Sequence, residues 1–190
     1  MGKDFSGLAR LFFEMGQLKR VPRSGWTMIG VKNPESVAEH TMRAALIGYF
    51  IAEMRNANSE KVALMLLLHD LPEARINDMH KVGARYVDLE NVEDRVFGEQ
   101  AERMPPKIRK KLVGVFGEFV ARESEEAVIA KDADLLECAV QAKEYLELGY
   151  ENADQWIDAV RKRLKTKEAK KILDSVVKGK AHRWWEGLKK

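Results

Sequence analysis

The chain has 190 residues, long enough for one well-buried domain and short for two. With 45% hydrophobic and 33% charged residues, it should fold around a packed core under a solvated surface. Its 33 Lys and Arg nearly balance 30 Asp and Glu, so the net charge of +3 does not mark the whole molecule as a polyanion binder.

The N-terminal Met-Gly-Lys-Asp-Phe-Ser lacks the apolar core of a signal peptide but matches the loose myristoylation pattern. Phe5–Lys19 places Leu8, Leu11, Phe12 and Met15 on a helical stripe. Arg20–Lys32 holds Pro22, Gly25 and Gly30 and reads as a loop. Asn33-Pro34-Glu35 predicts a helix start with Asn33 as N-cap, and that helix should run to about Arg55. After the break at Asn56-Ala57-Asn58, Ser59-Glu60 opens a helix that continues to about Leu71 and stops at Pro72. Its apolar run, Val62–Leu68, is far too short to span a bilayer. Asp88–Met104 and Pro105–Arg122 read as amphipathic helices, and Ser124–Leu148 is the longest helical pattern. It contains Cys138, the only cysteine, which excludes an intrachain disulfide or a zinc-ribbon site and fits a reducing, cytoplasmic setting. Shorter helices over Ala153–Leu164 and Lys167–Val177 precede a basic tail containing Trp184 and Trp185. With no alternating strand pattern and no repeat, the chain predicts an all-α, single-domain helical bundle. Residues 1–150 would form the catalytic core, and helices from 151–190 would pack on the same domain.

Four ionisable residues sit where helical periodicity predicts burial. Val37, Ala44, Ile47, Ile51 and Met54 fall within about 60° of His40 on a helical wheel. His69 and Asp70 end an apolar helix, beside unpaired carbonyls and negative potential, where a carboxylate is unfavourable unless a cation compensates it. Ala127, Ala130, Cys138 and Tyr145 lie within about 40° of Asp134, whereas Asp132 lies about 160° away, so Asp134 is the acid expected to face the core. A lone buried aspartate costs several kcal/mol unless paired or metal-bound. Two imidazoles and two carboxylates suit a divalent ion of borderline hardness, with room left for water. Cys138 reads as packing.

His40, then His69-Asp70, then Asp134 resembles the H…HD…D signature of the HD-domain metal-dependent phosphohydrolases. Four stretches are similar to those of the HD-domain 5′-deoxynucleotidases, the bacterial YfbR type and its archaeal and eukaryotic relatives. They are Leu18-Lys-Arg-Val-Pro-Arg-Ser-Gly-Trp26, Asn33-Pro-Glu-Ser-Val-Ala-Glu-His40, His69-Asp-Leu-Pro-Glu-Ala74 with Asp78 after it, and Lys131-Asp-Ala-Asp-Leu135. The resemblance spans roughly Phe5 to Leu148, and four motifs in register carry far more than the HD dipeptide alone. It implies an HD-type fold, one divalent metal ion (Co, Mn, Fe, Zn and Mg not being distinguishable) and a homodimer. The implied reaction of nucleotide metabolism releases phosphate from deoxyribonucleoside 5′-monophosphates. By the same match, His40, His69, Asp70 and Asp134 are metal ligands. Glu73 and Asp70 are the catalytic residues, Glu73 as the acid near the scissile bond. Arg20 contacts phosphate and Asp78 the sugar hydroxyl. The chain departs from some members at Val21, where they carry Trp against the sugar. Trp26 is the remaining candidate for that contact, and sugar selectivity stays open.

Other readings stand beside these. Arg20 could be a solvated helix-end charge, with Arg23 the nearest competitor for phosphate, and Asp78 could cap a helix. Glu39 could orient a ligand or face solvent. Only His80 and His182 are spare for a second metal, which favours a single ion. The same metal core could serve a cyclic nucleotide or a guanosine polyphosphate. The cluster Arg161, Lys162 and Arg163 and the tail could bind nucleic acid. The balanced charge elsewhere argues against that, and Trp184–Trp185 are expected to cover a core or dimer surface.

Overall fold

In a computed structural model, which describes residues 5–188, ten α-helices and short 3₁₀ turns account for the regular structure. The myristoylation-like pattern rests on residues before Phe5 and lies outside the described residues. The α-helices are α1 (Ser6–Met15), α2 (Val37–Arg55), α3 (Ser59–His69), α4 (Glu73–Ile76), α5 (Lys81–Ala84), α6 (Leu89–Ala101), α7 (Pro106–Ala121), α8 (Glu125–Glu147), α9 (Asp154–Arg163) and α10 (Lys167–Lys178). An isolated bridge between Pro22 and Ser36 is the nearest approach to a strand among the described residues. No helix among them is long and apolar enough to cross a membrane.

Three helices make the centre: α2, α3 and α8 pack on one another, and α7, α9 and α10 surround them. At Gly48 of α2, an added Cβ would run into the Leu66 side chain and fall 2.9 Å from Val62 Cγ1 and 3.3 Å from the Ala133 Cβ. Only glycine lets α2 seat this deeply against both neighbours.

Local side chains set the helix starts. Helix α2 begins at Val37, not at Pro34, because Ser36 and Glu39 form a reciprocal capping box. The Asn33-Pro34-Glu35 stretch is held outside the helix instead. Arg23 N donates to Glu35 O at 2.9 Å and Val37 N to Val21 O at 2.9 Å. Glu39 therefore serves the cap and is exposed, not behind a ligand. Asn58, Ser124 and Thr166 cap α3, α8 and α10. The expected first helix gives way at Met15 to a 3₁₀ turn, Gly16–Lys19, and the expected loop contains another, Ser24–Ile29.

Three burial expectations change. Met54 is 55% exposed despite its place on the His40 stripe, because α2 presents a second apolar line to the outside. Trp184 and Trp185 pack edge to face on each other and remain exposed, so they cover no core within this chain. Asp132 is as buried as Asp134, with a different duty. It accepts from Lys165 N at 2.9 Å, Thr166 N at 2.6 Å and Thr166 Oγ1 at 2.7 Å, tying the start of α10 to α8.

Replacing Asp132 by Ala strands those buried donors, at about 1–3 kcal/mol each. The melting temperature should fall by about 5–10 °C, read by calorimetry. Divalent-metal affinity should stay unchanged, since Asp132 faces α10.

Candidate active site

The end of α3 is built so that His69 leaves the helix with one nitrogen committed. Its Nδ1–H donates to Leu66 O at 2.6 Å, closing one of the unpaired carbonyls of the last turn. That leaves Nε2 as the nitrogen that faces the acidic cluster. His40, from the first turns of α2, is held likewise: its Nδ1 makes a very short contact with Glu137 Oε2 of α8. Arg43 Nε donates to Glu137 Oε1 at 2.8 Å, and its Nη1 and Nη2 reach Glu144 and Gln141 at 2.8 and 2.6 Å. A buried carboxylate sandwiched between imidazole and guanidinium thus sets the His40 ring.

The free atoms converge. His40 Nε2 lies 3.3 Å from Asp134 Oδ1 and 3.6 Å from Asp70 Oδ2. His69 Nε2 lies 3.1 Å from Asp70 Oδ2 and 3.8 Å from Asp134 Oδ1. His40 Nε2, His69 Nε2 and Asp70 Oδ2 are buried without a hydrogen-bond partner. The ligand atoms of His40, His69 and Asp134 lie within 4.8 Å of one another. Buried polar atoms normally find partners. Two neutral-capable imidazoles and two carboxylates aimed at one point form a donor set that a divalent cation would satisfy. The charges reinforce each other. Burial works against the His69 proton, yet Asp70 and Asp134 outweigh it and lift the ring's pKa to about 10. Burial opposes ionisation of Asp70 too, but His69, His40 and Arg23 hold it down to about 2.

Beside this cluster opens a cavity of about 550 Å³, within the range of small-molecule sites. Arg23 lines it, its Nη1 3.7 Å from Asp70 and 3.8 Å from Asp78 and its Nη2 donating to Cys138 Sγ at 3.2 Å. Arg20 does not: it is exposed, with Nη1 on Gly16 O at 3.3 Å. The structure therefore brings Arg23, and not Arg20, to the cluster, because the turn at Arg20 points outward and the extended residue Arg23 points in. Asp78 caps no helix; its Oδ2 accepts from Ser24 N at 2.7 Å. Glu73, first residue of α4, is buried with Oε2 unpartnered. Burial, with Asp70 and Asp78 nearby, raises its pKa well above the usual carboxylate range. Trp26 touches the cavity but is 2% exposed, and its indole N–H is spent on Glu35 at 3.0 Å. Val21 is buried in the core. His80 lines the cavity, yet its Nδ1 accepts from Gly83 N as the cap of α5.

Sequence reasoning missed Glu137 and Arg43. A helical wheel contained the signal: Glu137 lies three residues beyond Asp134, on the same face of α8. It also missed Lys131 as a partner, whose Nζ donates to Asp134 Oδ2 at 2.6 Å. Finally, it left α9 outside the site, although Trp156, Ala159 and Arg163 wall the cavity.

A model of the HD-domain family matches residues 15–176. The 5′-deoxynucleotidase HDDC2 of Mus musculus is 32% identical over 144 residues, 75% of this chain and 72% of the relative. The protein of the same name from Danio rerio is 32% identical over 135 residues, 70% of this chain and 67% of the relative. A crystal structure from Pyrococcus horikoshii OT3 superposes with a TM-score of 0.75 at 31% identity, covering 90% of this chain and 98% of that one. The chain belongs to the HD-domain family, and within it to the 5′-deoxynucleotidases, hydrolases of phosphate monoesters.

Replacing Glu137 by Ala frees the His40 ring and should weaken divalent-metal binding about 10–100-fold, as loss of a ligand's orienting partner does. Competition with a chromophoric chelator measures it, and unchanged affinity would show that Glu137 serves packing alone.

Proposed function

We propose that this protein is a metal-dependent 5′-deoxynucleotidase that hydrolyses deoxyribonucleoside 5′-monophosphates to deoxynucleoside and phosphate. The observation that carries the reading is the convergence of His40 Nε2, His69 Nε2, Asp70 Oδ2 and Asp134 Oδ1, most of them buried without partners, beside a nucleotide-sized cavity. Those four residues would hold one divalent ion. When bound, the ion supplies positive charge against the phosphate and acidifies water.

The chain's own residues do the rest. Arg23 is fully charged, since the carboxylates of Asp78 and Asp70 more than offset the effect of its burial. Its fork binds phosphate oxygens and orients the phosphorus. Glu73 keeps its proton through burial and the neighbouring carboxylates, and donates it to the leaving 5′-oxygen as the P–O bond breaks. Asp70 stays ionised as a ligand. Asp78, pinned by Ser24 N, offers its remaining oxygen to the sugar hydroxyl. The lone cysteine and a nucleotide substrate fit the cytoplasmic setting expected from the sequence.

We also infer a homodimer through the outer face of α2. Met42, Leu46, Tyr49, Phe50 and Met54 form an apolar line at helical spacing, 37–60% exposed, on a helix whose opposite face is already buried. Like faces pair about a twofold axis.

Glu73→Gln should cut kcat about 10²–10⁴-fold with metal still bound, measured as phosphate release alongside metal content. Arg23→Ala should raise KM or abolish turnover of deoxynucleoside monophosphates, while Arg20→Ala stays near wild type; the reverse order would overturn the phosphate assignment. Absence of turnover of every 5′-monophosphate across divalent metals would sink the reading. For the dimer, Leu46→Glu with Phe50→Glu should give a monomer by light scattering at retained helicity.

A further inference from the structure

The sequence leaves base recognition open, and the metal side of the cavity carries the charged and imidazole groups: His69, Asp70, Asp78, Asp134 and Arg23. Its other wall is different in kind. Trp156, Ala159 and Val160 of α9 line the cavity together with Gly25 and Met28. Trp156 is only partly buried, and its indole N–H has no hydrogen-bond partner among the described residues. Its ring is backed by Trp26, centroids 5.0 Å apart and tilted by 35°. Trp26 is itself fixed by an edge contact with Tyr145 at 5.1 Å and by its bond to Glu35. An indole backed by an anchored second ring, with a free donor, is a rigid platform.

Gly25 leaves the space beside that platform clear of a side chain. A Cβ on Gly25 would stand 3.7 Å from Trp156 Cζ2 and 3.8 Å from Nε1, in van der Waals contact with the ring. Any longer side chain would fill the space beside the indole. Consecutive residues also follow the order of a nucleotide. Arg23 faces the acidic cluster, Ser24 N holds Asp78, and Gly25 borders the indole.

We propose that the α9 wall is the nucleobase subsite, with Trp156 as its stacking platform and Gly25 keeping its entrance open. This rests on the reading that the cavity binds a nucleoside monophosphate. Stacking accepts any base, because every base has a π-face, so the subsite confers affinity for nucleotides over sugar phosphates more than it selects one base. The indole N–H adds a donor at the ring edge.

Equilibrium binding to chelator-treated protein tests this without turnover. By calorimetry, deoxyadenosine monophosphate should bind wild type about tenfold more tightly than deoxyribose 5-phosphate. That ratio should collapse toward one in Trp156→Ala and in Gly25→Leu, and persist in Trp156→Phe. Should Trp156→Ala fail to fold, Gly25→Leu and Trp156→Phe carry the test. A wild-type ratio near one, a ratio unmoved by Trp156→Ala and Gly25→Leu, or an equal loss for both ligands would overturn the subsite. Phosphate release from the same two compounds by the metal-loaded protein judges the nucleotidase reading separately. A ratio that collapses as expected, with neither compound hydrolysed, would leave the base subsite standing and remove the activity.

Discussion

Burying two imidazole nitrogens and a carboxylate oxygen without hydrogen-bond partners is the constraint around which this bundle is arranged. Such groups cost several kcal/mol in a dry interior unless something satisfies them. The surrounding helices hold them in place while leaving their free atoms unsatisfied. Leu66 O takes the far nitrogen of His69, Glu137 that of His40, and Lys131 the outer oxygen of Asp134. Every fixed contact is on the outside of the cluster, and every free atom points in. The inward atoms lie 3.1–3.8 Å apart, close enough to pair as protonated imidazoles with carboxylates and close enough to be shared by one cation.

The same requirement explains the depth of the central helices. His40 and Asp134 can meet His69 only if α2, α3 and α8 approach closely, and Gly48 makes that approach possible. The Glu137–Arg43 pair then sits at the α2–α8 contact, where it orients His40 and joins two helices at once. Packing and site are one piece of construction here, so loosening the helix contact also loosens the ring.

Most of this was legible because helical periodicity places side chains on faces. His40 and Asp134 stood on apolar stripes, and His69-Asp70 broke one, so the cluster could be assembled without coordinates. The reading failed where the answer lay outside the helix being read. Asp132 looked peripheral on its own wheel, but the start of α10 docks there and its backbone donors need an acceptor. Asn33-Pro34 looked like a helix start, but pairing with residues 21–23 pulled it out and left Ser36 to cap. The family match put Arg20 ahead of Arg23 for phosphate, but the path of an irregular segment is set by tertiary contacts and not by local pattern, and it is Arg23 that reaches the cluster. Trp156 carried no signal at all: a tryptophan on an amphipathic helix is ordinary until a cavity opens in front of it.

Asp70 and Glu73 are three residues apart, and the fold drives them to opposite protonation states. Asp70 has two imidazoles and Arg23 around it, which overcome burial and keep it ionised at about 2. Glu73 is equally withdrawn from water, but its near neighbours include Asp70 and Asp78, and like charges push its proton on. The turn at Leu71-Pro72 creates this difference by directing Asp70 into the cluster and Glu73 past it. One carboxylate is thereby suited to hold a cation and the other to give up a proton, the separation of roles that paired acids need at neutral pH.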